Sequence, residues 1–172
     1  MAFRSFKPLH PRATILSALA LFLIGHARVS AQDAPVYRAG SLAIEAPWSR
    51  ATPGGAKVGS GYMRIVNRGA EPDRLIGGTA TVSARVEVHE SSTVDGVARM
   101  RPIEGGLVIR PGETVELKPG GLHAMLADLT RPLKEGEVIQ GTLVFERAGT
   151  VAIDYRVAGI GAQSAGAGHH HH

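Results

Sequence analysis

Between Ser41 and Val157 no stretch of this 172-residue chain keeps a 3.6-residue apolar period for three turns; short alternating runs stop instead at Gly, Pro and charged residues. Such a pattern gives a helix no continuous apolar stripe, but it gives a strand one buried face. The run from Val151 to Val157 shows this most plainly: Val151, Ile153, Tyr155 and Val157 fall on one face, Ala152, Asp154 and Arg156 on the other. Further strands are predicted over Leu42–Ile44, Val58–Val66, Leu75–Val82, Arg85–Glu90, Ala98–Ile103, Leu107–Ile109, Thr114–Leu117, Leu122–Ala127 and Val138–Phe145. Breakers such as Pro53-Gly54-Gly55, Asn67-Arg68-Gly69, Pro111-Gly112 and Pro119-Gly120-Gly121 recur at the spacing of an all-β, Greek-key β-sandwich or barrel.

The formal charge of +4 is concentrated at the start of the chain. Arg4, Lys7 and Arg12 precede an apolar run from Ala13 to Ile24, and Val29-Ser30-Ala31 supplies small residues for a cleavage site, so residues 1–31 read as a secretory signal peptide. The apolar run is shorter than the roughly 20 residues a membrane span needs. Cleavage is therefore expected in preference to retention as an anchor, with no stable membrane span afterwards. Without Arg4, Lys7, Arg12 and Arg28 the 19 basic residues fall to 15, equal to the 15 acidic ones. A neutral chain with 5% aromatic residues and no Lys/Arg cluster carries no nucleic-acid footprint. Residues 32–40 read as an N-terminal linker, 41–158 as one domain, and 159–172 as a flexible Gly/Ala-rich tail ending in histidine.

The chain has no cysteine, which excludes disulfides, thiolate zinc sites, iron–sulfur clusters and a cysteine-ligated blue-copper centre. Any soft metal must use other donors. The predicted domain holds two histidines, His89 and His123, and three methionines, Met63, Met100 and Met125. In Leu122-His123-Ala124-Met125-Leu126 the apolar residues take one face, so His123 and Met125 share the other, roughly 6.5–7 Å apart at Cα. His89 closes Arg85-Val86-Glu87-Val88-His89 on the polar face with Arg85 and Glu87, and Met100 lies in a hairpin partner of that strand. Met63 shares a face with Ile65 and reads as core; Trp48 reads as a core or rim anchor. Imidazole nitrogen with thioether sulfur suits Cu(I), since a soft neutral thioether matches Zn²⁺, Ca²⁺ or Mg²⁺ poorly.

His89, ten residues, Met100, twenty-two residues, then His123-Ala124-Met125 resembles the metal motif of the PCuAC periplasmic copper chaperones. The likeness extends from about Ser41 to Val157, through Ala46-Pro47-Trp48-Ser49-Arg50, Gly61-Tyr62-Met63-Arg64-Ile65 and Val86-Glu87-Val88-His89-Glu90. The family's second gap is usually one residue shorter, and the turn at Pro119-Gly120-Gly121 is where an extra residue is tolerated. The resemblance implies a cupredoxin-like fold, one Cu(I) held by His89, Met100, His123 and Met125, and a periplasmic location. It also implies delivery toward the CuA centre of a haem-copper oxidase, with a copper-accepting oxidase subunit and a Sco-type protein as partners.

Four neutral donors, with no carboxylate placed as a base, fit carriage and not an enzyme. The rival readings are a non-metal partner- or ligand-binding β-sandwich module and a copper-dependent redox catalyst. The terminal His169, His170, His171 and His172 are either a purification tag or a natural tail; as a natural tail they form a second site suited to Cu(II).

Overall fold

A computed structural model describes residues 34–166. The leader expected at 1–31 and the histidines His169, His170, His171 and His172 lie outside the described residues. Eleven strands follow in order: β1 Val36–Ala39, β2 Leu42–Arg50, β3 Gly59–Asn67, β4 Asp73–Ala80, β5 Ser83–Val94, β6 Val97–Pro102, β7 Leu107–Ile109, β8 Thr114–Leu117, β9 Leu122–Ala127, β10 Val138–Phe145 and β11 Gly149–Ala158. Seven of them close a barrel in the order β2, β11, β10, β4, β5, β9, β3, and the β2–β3 pairing returns the ring to its start. All the ring's ladders are antiparallel except β11–β2, where Arg156, Val157 and Ala158 run beside Trp48, Ser49 and Arg50. The fold class is all-β and cupredoxin-like, as the alternation and the resemblance required.

Period-2 alternation builds the interior. Ile44, Ile65, Leu75, Val86, Leu126, Ile139, Leu143, Ile153 and Tyr155 all point inward and are buried. Tyr155 is admitted because its neighbours have no side chains. A Cβ at Gly61 would lie 2.7 Å from one edge of the ring, and one at Gly141 would lie 3.0 Å from the other.

β2 breaks the alternation midway. Glu45 pairs with Arg64 but Trp48 pairs with Tyr62, so one extra residue is accommodated at Ala46-Pro47, where Ala46 has φ 48°. A bulge of this kind reverses which residues face inward, and it is where a strand tolerates proline. Ile44 therefore points into the barrel while Trp48 points outside it, with its ring centroid 4.5 Å from that of Tyr62.

Two segments read as lying outside the domain, one at each end, are built onto it. Residues 36–39, read as part of a linker, form β1 against β2 from Val36↔Glu45 to Ala39↔Leu42. The start of the tail is docked as well. Ala162 is buried on Trp48 and Tyr62, and its carbonyl accepts a 2.6 Å bond from Arg50 Nε.

Candidate metal centre

β5 and β9 lie side by side and antiparallel, with Val86↔Leu126, Glu87↔Met125, Val88↔Ala124 and His89↔His123 in register. Val86, Val88, Ala124 and Leu126 are buried in the barrel interior. Their alternates Glu87, His89, His123 and Met125 consequently share the outer face. On the other side of β5, β6 pairs Ser91 with Met100 and His89 with Pro102. Cross-strand partners share a face, and Ser91 is two residues from His89, so Met100 also lies on the outer face.

The structure thus brings the two histidines directly opposite each other, with ring centroids 6.1 Å apart. Met125 and Met100 are diagonal neighbours of His89, on β9 and β6 respectively, at the roughly 7–8 Å backbone spacing of such positions. Exposure rises outward across the set: His123 is 3% exposed, His89 8%, Met125 half-buried and Met100 56% exposed. Met63 pairs with Leu117 inside the barrel and belongs to the core, as expected.

The ring nitrogens are sorted by their hydrogen bonds. His123 Nδ1 lies 3.0 Å from the carbonyl oxygen of Gly121, which can only accept, so Nδ1 carries the proton and Nε2 the lone pair. That Nε2 is buried and has no partner among the described residues. Burial lowers the pKa of His123; the Gly121 bond opposes this, and the nearby His89 adds to the lowering. A neutral imidazole with an unspent, oriented lone pair is a ligand held ready. Across from it, His89 Nε2 lies 3.1 Å from Glu87 Oε2; the carboxylate accepts, which in the neutral ring leaves the lone pair on Nδ1.

The Gly121 carbonyl has a second donor. It accepts the Ser91 N–H at 3.0 Å, so the turn between β8 and β9 is tied to β5 at the position where it orients His123. Sequence alternation placed both histidines on polar faces but could not find this carbonyl, which depends on the path of the Pro119-Gly120-Gly121 turn. Glu87 was placed beside His89 by alternation; its bond to the ring emerges only in three dimensions. A groove of about 450 Å³ adjoins the pair, lined by Glu87, His89, Pro102, Ile103 and Gly106 among others.

Among the described residues no three His, Asp or Glu side chains are grouped to hold a metal ion. The donors that share this outer face are two imidazoles and two thioethers, a set suited to a soft monovalent ion.

Residues 42–157 match the LpqE-like family model, described as "Putative lipoprotein LpqE-like". The chain is 32% identical over 142 residues to the protein named "Putative lipoprotein Lxx21020" of Leifsonia xyli subsp. xyli (strain CTCB07), covering 81% of this chain and 84% of that one. The copper-bound PCuAC domain from PmoF2 is 34% identical with TM-score 0.62, over 73% of this chain and 98% of that chain. The Cu(I) form of DR1885 from Deinococcus radiodurans is 25% identical with TM-score 0.52, over 76% and 83% of the two chains. Sequence and barrel lead to one conclusion: the chain belongs to the LpqE-like family, the family of the PCuAC domains.

Proposed function

We propose that this protein is a copper carrier that binds one Cu(I) through His89, Met100, His123 and Met125 and hands it to an acceptor. The observation that carries the reading is the buried, neutral His123, whose Nε2 has no partner and which lies opposite His89 on a face shared with two thioethers. Copper-bound relatives in the same family support the ion, and the Cu(I) form of DR1885 supports its oxidation state. Thioether sulfur favours the reduced ion over the oxidised one.

The chemistry of the set suits transport. His123 is buried and oriented, so it holds; Met100 is exposed and on an edge strand, so it can be exchanged. With all four donors bound, the ion would have no open position at which to activate water, which argues for a carrier in preference to an enzyme. The lipoprotein name of a relative supports an exported protein, and the family resemblance supports a periplasmic one delivering copper toward the CuA centre of a haem-copper oxidase, alongside a Sco-type protein.

Met100→Leu and Met125→Leu each keep side-chain volume and remove the sulfur. Stability should change by less than about 1.5 kcal/mol. Competition titration against a Cu(I) chelator should show affinity reduced tenfold or more for each. Unchanged titrations in both variants would sink the assignment.

A further inference from the structure

β6 carries one of the proposed ligands and is paired on one side only: among the described residues its partner is β5, and no strand joins its other edge. The hairpin register identifies the free groups. Val94 and Val97 flank a two-residue turn at Asp95-Gly96, both at positive φ, so this pair exchanges backbone hydrogen bonds. The same then holds for Ser92↔Arg99 and Glu90↔Arg101, every second pair along the ladder. The intervening Ala98 and Met100 consequently direct their N–H and C=O groups to the open edge. Pro102, which has no N–H to donate, falls in the same outward set and closes the edge. An open row of this kind is a template for strand addition.

Charge narrows the occupant. By alternation Arg99 and Arg101 lie on the face opposite Met100, and β6 has no acidic residue. Arg101 is bound to Glu90 at 2.6 Å, whereas Arg99 has no ion pair among the described residues. A second copy of this chain adding antiparallel at the same edge would set these guanidinium groups against their own duplicates, which is unfavourable. An extended segment with carboxylates at alternate positions would meet them with opposite charge, and its intervening residues would stand beside Met100. A groove of about 420 Å³ lined by Arg101, Pro102, Ile103 and Glu104 adjoins the end of β6.

We infer that the open edge of β6 is where the copper acceptor docks: an extended acidic segment of a partner protein adds as a strand and brings a sulfur donor next to Met100. This rests on the copper-carrier reading. Copper stays monovalent in the exchange; its bond to Met100 Sδ breaks as one to the incoming sulfur forms, and a thiol donor passes its proton to water.

The test uses the metal-free chain, so it does not depend on the copper site. Amide NMR shifts are followed during titration with an acetylated, amidated EVEMEVE peptide and with its KVKMKVK counterpart. The acidic peptide should move the Ala98 and Met100 amides, and the basic one should bind at least tenfold more weakly. Ala98→Pro removes an outward N–H and leaves the bonds to β5; it should weaken EVEMEVE tenfold or more. Arg99→Glu, which leaves the strand unaltered, should do the same and gain affinity for KVKMKVK. Both variants should keep Cu(I) affinity within threefold of the parent. Equal binding of the two peptides, shifts confined to other strands, or variants that bind like the parent would overturn the proposal. So would self-association that Ala98→Pro abolishes, which would assign the edge to a second copy. Loss of the copper site with peptide binding intact would refute only the carrier reading.

Discussion

Tyr155 sits between Gly61 and Gly141 with its hydroxyl buried and without a partner among the described residues. Burial raises the pKa of the phenol, so the folded chain keeps a proton that an ordinary phenol loses near 10. The sign follows: stability is complete below about pH 10 and declines as pH rises above it, because the unfolded chain then gains by ionising. Denaturant unfolding at about pH 8 and about pH 10.5 should show this decline, and Tyr155→Phe should remove part of it. At neutral pH that variant should be within about 1 kcal/mol of the parent or more stable, since it deletes an unsatisfied polar atom. A parent and variant with the same alkaline slope would refute the account. At this scale much of the candidate site was legible: with period 2, identifying Val86, Val88, Ala124 and Leu126 as inward residues also identifies His89, His123 and Met125 as outward ones. The Gly121 carbonyl was not legible, because a turn's path leaves no mark in the alternation.

The β5–β6 ribbon separates binding from stability. Its first half is barrel wall, but beyond Glu90 the strand leaves the core, and every residue of β6 is exposed. That explains why the sequence reading ended β5 at Glu90: with no core beneath Ser91-Ser92-Thr93-Val94, the apolar alternation has nothing to encode. The strands β7, β8, β9 and β10, which do lie over the core, begin and end where the alternation put them. The outward turn of Trp48 escaped for another reason, since the bulge at Ala46-Pro47 inverts the pattern, and the proline was its only trace. Gly96, at φ 76°, holds the ribbon's turn. Gly96→Ala should cost the turn about 1 kcal/mol. Amide exchange should quicken across residues 91–101 while the global unfolding midpoint hardly moves. Cu(I) affinity should fall by up to about fivefold, the equivalent of that energy. A fall in the global midpoint with exchange unaltered in the ribbon would contradict this division.

For the whole molecule, the proposed copper ligands lie outside a barrel whose apolar core is complete without them. Metal-free protein should therefore be fully folded, with near- and far-UV circular dichroism unchanged on adding Cu(I). Zinc, which prefers charged and nitrogen donors, should not displace Cu(I) at equal concentration. Displacement, or loss of near-UV signal on chelation, would show that metal and fold are coupled. The barrel class was readable from strand count and spacing, but its closure was not. Nothing local in Trp48-Ser49-Arg50 or Arg156-Val157-Ala158 announces that these segments run side by side.

That parallel seam between β2 and β11 also governs when the structure can form. It joins segments from nearly opposite ends of the domain, so the loop that must close is almost the whole domain, and its entropy is lost before the seam's contacts are gained. Until β11 has been synthesised, β2 and β10 each lack a neighbour and the ring stays open. Refolding should be slow for a domain of this size, in the millisecond-to-second range of nonlocal β topologies, and stopped-flow measurements can check it. The order of assembly is thereby written into the topology: the last strand made is the one that commits the chain to its native state.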